Sequence, residues 1–192
     1  DRTDYHAVVD VGGDDSGARG FSTAEDNVLN EKQLNLALVL DAADMLKALG
    51  ANISLIRTDD TTVSLYARMA YLEAAEPDLS ISIHQNSMGY STDITRVRGV
   101  LPLYCADSGK LLADCVGGEI GRATARYTRA SQYQVLALSR SPKFPQTLIE
   151  VGFITNMEEY EQMAVGRGIT QASDGVVNGV LRYFREMAAF AG

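Results

Sequence analysis

The sequence predicts one α/β layered domain over residues 1–192, a largely parallel twisted sheet flanked by helices, and three observations carry that prediction. Short apolar strands alternate with longer stretches of helical period from one end to the other. No internal repeat, low-complexity tract or linker interrupts that alternation. The length of 192 residues suits a single core, one that buries roughly 70% of the unfolded chain's surface.

The elements follow in order. Residues 7–11 (Ala-Val-Val-Asp-Val) read as a short buried strand, and the Gly-rich and Asp-rich run at 12–17 opens a polar connection to about residue 30. Across 31–49, Leu34, Leu38, Ala42, Met45 and Leu49 recur at the helical period, and Gly50 supplies the stop. Residues 52–57 alternate as a strand; 63–75 read as a helix that must end before Pro77. Residues 79–84 (Leu-Ser-Ile-Ser-Ile-His) form the next strand, followed by a polar loop at 85–96, a strand at 98–105 and a helix at 107–127. The last strand is 147–153. Asn156 with Glu159 three residues on is an N-cap signature for a helix near 157–164, and a final helix runs from about 170 to 189.

Composition removes several functions. Acidic residues outnumber basic ones 25 to 17, a net charge of −8, whereas nucleic acids and anionic membranes demand a basic surface. No apolar run reaches the roughly 18 to 20 residues of a transmembrane segment. No basic-then-apolar leader is read at the start, and no weight rests on that, because Asp1 need not be a native beginning. His6 and His84 are the only histidines, so a three-His metal site and an H-E-x-x-H protease are both excluded. Cys105 and Cys115 allow at most one bridge and read as two small buried hydrophobes.

Ligands of open α/β sheets bind outside the carboxyl ends of the strands. By that criterion His84 stands out, closing its strand ahead of Gln85, Asn86 and Ser87. Glu150 stands inside the apolar run Leu148-Ile149-Glu150-Val151, where an unpaired charge costs several kcal/mol. Asp10 interrupts the first strand, either as a functional group or to tie down the loop beside it. Glu31 opens a helix, a place where a carboxylate complements the macrodipole. Together these groups match the parts list of a mononuclear zinc hydrolase: metal ligands plus a separate Glu to handle the proton.

Three segments in this order, Asn30-Glu31-Lys32-Gln33-Leu34, Ser82-Ile83-His84-Gln85-Asn86-Ser87 and Ile149-Glu150-Val151-Gly152-Phe153-Ile154-Thr155-Asn156, resemble the zinc-dependent N-acetylmuramoyl-L-alanine amidases. The resemblance spans about residues 6–187. It implies a peptidoglycan hydrolase of the cell wall, acting outside the cytoplasm on muropeptide, with a Zn²⁺ cofactor. Carried over residue by residue, it makes Glu31 and His84 two zinc ligands and Glu150 the glutamate that acts on the metal-activated water and then on the leaving amine. It also leaves Asn86 as a candidate to orient substrate, beside a loop-capping role.

One departure concerns the metal. The family's first strand ends in an Asp-Pro-Gly-His-Gly-Gly pattern whose histidine is a ligand, and here Gly13 stands in that place. His6 precedes the strand and belongs at its other end. In one reading Asp14 or Asp15 supplies the third ligand. In the other, zinc is weakly held or absent and the chain is a degenerate, non-catalytic peptidoglycan-binding or regulatory module. The connection before Glu31 is also longer than the family's and carries Glu25 and Asp26. A more distant rival, a zinc carboxypeptidase, would need an arginine for a substrate carboxylate, for which Arg98, Arg129 and Arg140 are available.

Overall fold

The computed structural model describes residues 6–11, 18–20, 29–89, 93, 95–165 and 167–190, with the first of these segments described by its backbone. The elements are β1 (His6–Val11), α1 (Glu31–Ala48), β2 (Asn52–Leu55), α2 (Leu65–Ala75), β3 (Leu79–Asn86), β4 (Leu101–Tyr104), α3 (Asp107–Thr124), β5 (Gln132–Tyr133), β6 (Gln146–Phe153), α4 (Met157–Ala164) and α5 (Arg167–Phe190). They form one mixed sheet in the order β2-β1-β3-β6-β4-β5, flanked by helices. The first four strands in that order run parallel, while β4 and β5 run the other way, β4 pairing antiparallel with β6. The reversal has a local cause. A parallel return needs a crossover, usually helical, and no described residue between β3 and β4 is helical.

The apolar period read for α1 holds through Leu34, Leu38 and Ala42, which are fully buried, but Leu46 rather than Leu49 completes the inward stripe. Leu49 is the residue that ends the helix and is 61% exposed. Gly50 follows at φ 90°, the left-handed step that a helix-terminating glycine takes without strain. The helix expected to reach residue 127 stops at Thr124, where Ala125 turns left-handed at φ 54° and Arg126 folds back inward. The strands expected at 52–57 and 98–105 shorten to four residues each, and the two-residue β5 and a 3₁₀ turn at Ala137–Ser139 are additions. Cys115 is buried as expected; Cys105 is only half-buried, and both thiols are free.

One sheet face carries the main core. Ile81 and Ile83 of β3 and Ile149 and Val151 of β6 pack there against α1, α3 and α5. The opposite face carries α2 and a smaller cluster of Leu72, Leu138 and Phe144. On the crowded side, α3 and α5 meet almost backbone to backbone. A Cβ on Gly175 would stand 2.5 Å from Ile120 Cα, and one on Gly179 2.5 Å from Val116 Cα. The four-residue spacing on each helix puts both contacts on one seam. Because neither helix can retreat without opening the core, Gly179→Ala is expected to destabilise the fold by about 1–3 kcal/mol, read as a lowered urea midpoint.

Candidate functional site

The site forms at the carboxyl ends of β3 and β6, under the start of α1. Asn30 precedes that helix, and its N–H donates to Gln33 Oε1 at 2.8 Å, so the first turn starts at Glu31. Glu31 is 8% exposed and held on both carboxylate oxygens. Oε2 accepts from the Ala18 amide at 3.1 Å, and Oε1 accepts from the Gln85 amide at 3.2 Å and from Asn35 Nδ2 at 3.4 Å. Oε1 also lies 3.0 Å from His84 Nδ1, a distance at which a protonated Nδ1 donates. Asn35 is one helical turn beyond Glu31, and its Oδ1 accepts in turn from Gln85 Nε2 at 3.2 Å. Burial pushes the Glu31 carboxyl up, but the His84 hydrogen bond and charge, with the Ala18 and Gln85 amides, outweigh it and hold the group below its ordinary range.

Glu150 stands directly across from His84 in the parallel register of β3 and β6. Its environment is the reverse of Glu31's. Its Oε2 is buried and has no hydrogen-bond partner. Desolvation pushes this carboxyl up to about 7; the Glu31 charge adds to the rise, and His84 opposes it. Two carboxylates of one site are thus driven apart, one kept ionised and the other poised near neutrality, the pattern by which acid and base roles separate.

The strand end that carries Glu150 is braced from below. After His84 and Glu150 the register slips, so that Asn86 pairs with Phe153, and β6 carries one extra residue. Arg126 fills the space behind this bulge, donating to Val151 O at 3.0 Å, Glu159 O at 3.0 Å and Gln162 Oε1 at 3.1 Å. The Glu159 carboxylate takes the Phe153 amide at 2.6 Å and the Gly99 amide at 2.7 Å. Asn156 caps α4 as read, accepting from the Glu159 amide at 3.2 Å, but the Glu159 side chain serves the strand end instead of closing a capping box.

Of the expected site residues, the structure brings Glu31, His84 and Glu150 together. Asn86 lies two residues beyond His84, and its Oδ1 accepts from the adjacent Ser87 amide at 2.8 Å. Asp10 lies on β1 in register with Ser82. Asp14, Asp15, Gly13, Glu25 and Asp26 lie outside the described residues. Among the described residues, no group of three His, Cys, Asp or Glu side chains gathers as a metal cluster. The donor chemistry of Glu31 and His84, one carboxylate and one imidazole side by side with an orphaned carboxylate opposite, fits a zinc ion that takes its remaining ligand from elsewhere. Sequence reading gives no site role to Asn35, Gln85, Arg126 or Glu159: Asn35 carries the signal of its four-residue spacing from Glu31, Gln85 stands out only as following His84, Glu159 only as part of a helix cap, and Arg126 carries no signal.

A single mixed α/β sheet flanked by helices carries a carboxylate–imidazole pair and, across from it on β6, a desolvated glutamate. The profile of the N-acetylmuramoyl-L-alanine amidase family matches residues 7–182, and the chain belongs to that family. It is 33% identical over 175 residues to the uncharacterized protein YqiI of Bacillus subtilis, covering 90% of this chain and 81% of that one. It is 28% identical to the N-acetylmuramoyl-L-alanine amidase LytC of Bacillus subtilis, covering 91% of this chain but only 34% of LytC. Among solved structures, the N-acetylmuramoyl-L-alanine amidase AmiC2 of Nostoc punctiforme superposes with a TM-score of 0.85 at 27% identity, covering 94% of this chain and 97% of that one.

Two outcomes follow from this geometry. Removing the Glu159 carboxylate strands the buried Phe153 and Gly99 amides and takes away the negative charge 4.0 Å from buried Arg126, so Glu159→Ala is expected to cost about 3–5 kcal/mol in chemical denaturation. Glu150 binds its proton more tightly folded than unfolded, since its pKa rises from 4.5 to about 7. Its contribution is therefore fully present below pH 4.5 and lost as pH rises through about 7. In chelator, the parent should lose about 2–3 kcal/mol relative to Glu150→Gln between pH ~4.5 and pH ~8, because glutamine carries no such titration. Parallel stability–pH curves for the two proteins would contradict this.

Proposed function

We propose that the chain is a metal-dependent peptidoglycan amidase that hydrolyses the amide between N-acetylmuramic acid and L-alanine. The observation that carries the reading is Glu150, a buried carboxyl with an orphaned oxygen and a pKa pushed up to about 7, across from His84 and Glu31. Glu31 and His84 would hold zinc, with Asp14 or Asp15 as the third protein ligand. Zinc, when bound, supplies the positive charge that acidifies a water and polarises the substrate carbonyl.

The remaining chemistry belongs to the chain. A carboxyl near neutrality takes a proton from water without holding it so firmly that it cannot return it to the leaving amine, which is what general acid–base catalysis at neutral pH asks of Glu150. Gln85 and Asn35 keep Glu31 in one rotamer through its Oε1, so that its charge faces His84. The clamp of Arg126 and Glu159 on the backbone at Val151 and Phe153 fixes where Glu150 points. The acidic balance of the chain, −8 overall, fits a substrate that is neither nucleic acid nor anionic membrane. A cell-wall location outside the cytoplasm agrees with the substrate and with relatives named as cell wall amidases. No described helix is long and apolar enough to cross a membrane.

The test pairs metal analysis with cleavage of muropeptides by the parent and by Glu150→Ala. The parent with zinc should release L-alanine-terminated peptides, and the variant should retain zinc while slowing by about 10²–10⁴-fold. Equal cleavage by the two proteins removes Glu150 from the reaction. A parent that binds muropeptide but never cleaves it, with zinc in excess, would make the chain the non-catalytic module that Gly13 suggests.

A further inference from the structure

Of the three arginines available for a substrate carboxylate, Arg98 is taken by Glu158 at 3.2 Å. Arg140 lies against Met69 near Gln146, where β6 begins, at the end of the strand away from Glu150. Arg129 is different, and the strand register places it. Leu101 of β4 is the antiparallel partner of Glu150, so their two side chains share a sheet face. On the far side of β4, Val100 bridges Thr128 in parallel; its N–H donates to Tyr127 O at 2.8 Å, and its O accepts from the Arg129 amide at 2.9 Å. Thr128, like Val100, points to the α3 side, where a Cβ on Gly121 would collide with its hydroxyl. Side chains alternate along an extended chain, so Arg129 faces the other way, to the side of Leu101 and Glu150. It stands level with Glu150 and two strands away, roughly 10 Å between Cα atoms at ~4.8 Å per strand.

The guanidinium is held in one pose. Its Cζ lies 5.3 Å over the ring of Phe153, the buried residue that ends β6 three positions after Glu150. Nε and Nη2 both donate to Arg98 O, at 3.2 and 3.0 Å, which occupies one edge of the plane. The other edge, an Nη1–H beside the second Nη2–H, has no acceptor among the described residues, and no described carboxylate pairs with it. Stacking on the ring takes water from one face of the ion, and the open edge is the planar fork that receives a carboxylate through two parallel bonds.

We propose that Arg129 is a specificity-determining residue that binds a carboxylate on the peptide side of the scissile amide. Chemistry chooses the peptide side. The carboxyl of N-acetylmuramic acid is tied up in the scissile amide, and the glycan beyond it presents hydroxyl and acetamide groups, so negative charge lies along the peptide. An extended peptide advances about 3.3–3.6 Å per residue, which puts its second or third residue at Arg129 when the amide lies at Glu150. The assignment rests on the amidase reading above, which sets the amide there. It makes the enzyme discriminate free-acid peptides from amidated ones.

The experiment measures binding apart from cleavage. Two muramoyl tripeptides serve as probes, one with free carboxylates on its second and third residues and one with those groups amidated. Each is titrated by NMR, with zinc in excess, into the 192-residue chain carrying Glu150→Gln to slow turnover, and into that chain with Arg129→Gln or Arg129→Lys added. Arg129→Gln keeps an amide donor for Arg98 O and removes the charge. With the arginine in place the acid form should bind about tenfold more tightly than the amidated one; Arg129→Gln should bind both alike, and Arg129→Lys should keep part of the preference. An arginine that only supports the fold predicts that Arg129→Gln weakens both forms equally with the preference intact, and that result overturns the proposal. Equal binding of the two forms, or of neither, with Arg129 in place overturns it without reference to any Arg129 variant. Cleavage by the parent is followed in parallel. A preference for the acid form without cleavage of either overturns the amidase reading and leaves the carboxylate site standing; cleavage without the preference overturns the site alone.

Discussion

The structure is organised around a carboxyl group that cannot be fully satisfied where it stands. Glu150 sits in the middle of β6 among apolar neighbours, with one oxygen buried and unbonded. Leaving a buried polar atom without a partner costs on the order of 1–3 kcal/mol, and more when it carries charge. A marginally stable fold tolerates such a cost only where its surroundings allow no easier arrangement. Here the strands to either side fix β6 laterally, β3 in parallel register and β4 antiparallel, so the side chain cannot swing to solvent by moving its backbone.

The charges around it divide the work. Arg126 and Glu159 are both buried, an arrangement expensive to desolvate, yet between them they hold the backbone of Val151 and Phe153, just beyond Glu150 on β6, and tie it to Gly99 and to Gln162 of α4. Burial lowers the Arg126 pKa and the Glu159 charge opposes that, as expected of a pair kept for position more than for net stability. Glu31 receives the opposite treatment, with amides from three segments converging on its carboxylate. One carboxylate is thereby solvated by the protein and the other is starved of solvation. That contrast, rather than either group alone, gives the site its chemical direction.

The fold that holds these groups was legible in the sequence to a large degree. Alternation of strand and helix, the stop at Gly50 and the cap at Asn156 all reflect forces that act within a few residues, so the sequence displays them directly. The misjudged ends have the same explanation in reverse. Thr124 ends α3 because Arg126 is drawn into the interior by Val151 and Glu159, residues more than twenty positions away. Leu49 keeps the helical period but falls past the last turn, where there is no core to meet. The strand read at 98–105 forms as β4, but nothing local sets its antiparallel direction, and the two residues of β5 are too few to show a period.

What the sequence determined by itself is the kind of groups available: two histidines, an acidic surplus, a glutamate inside an apolar strand and another at a helix start. It also determined the family, through three short segments in a fixed order. What only the tertiary structure decided is which of these groups meet, and in which state of protonation. Glu31 and Glu150 are chemically the same residue, and their local patterns, a helix start and an apolar strand, do not give the protonation state of either. They differ because His84 and the Ala18 and Gln85 amides reach the Glu31 carboxylate, while Glu150 is desolvated with one oxygen unbonded. Solvation inside a protein is set by neighbours brought together across the chain, and that information exists only once the chain has folded.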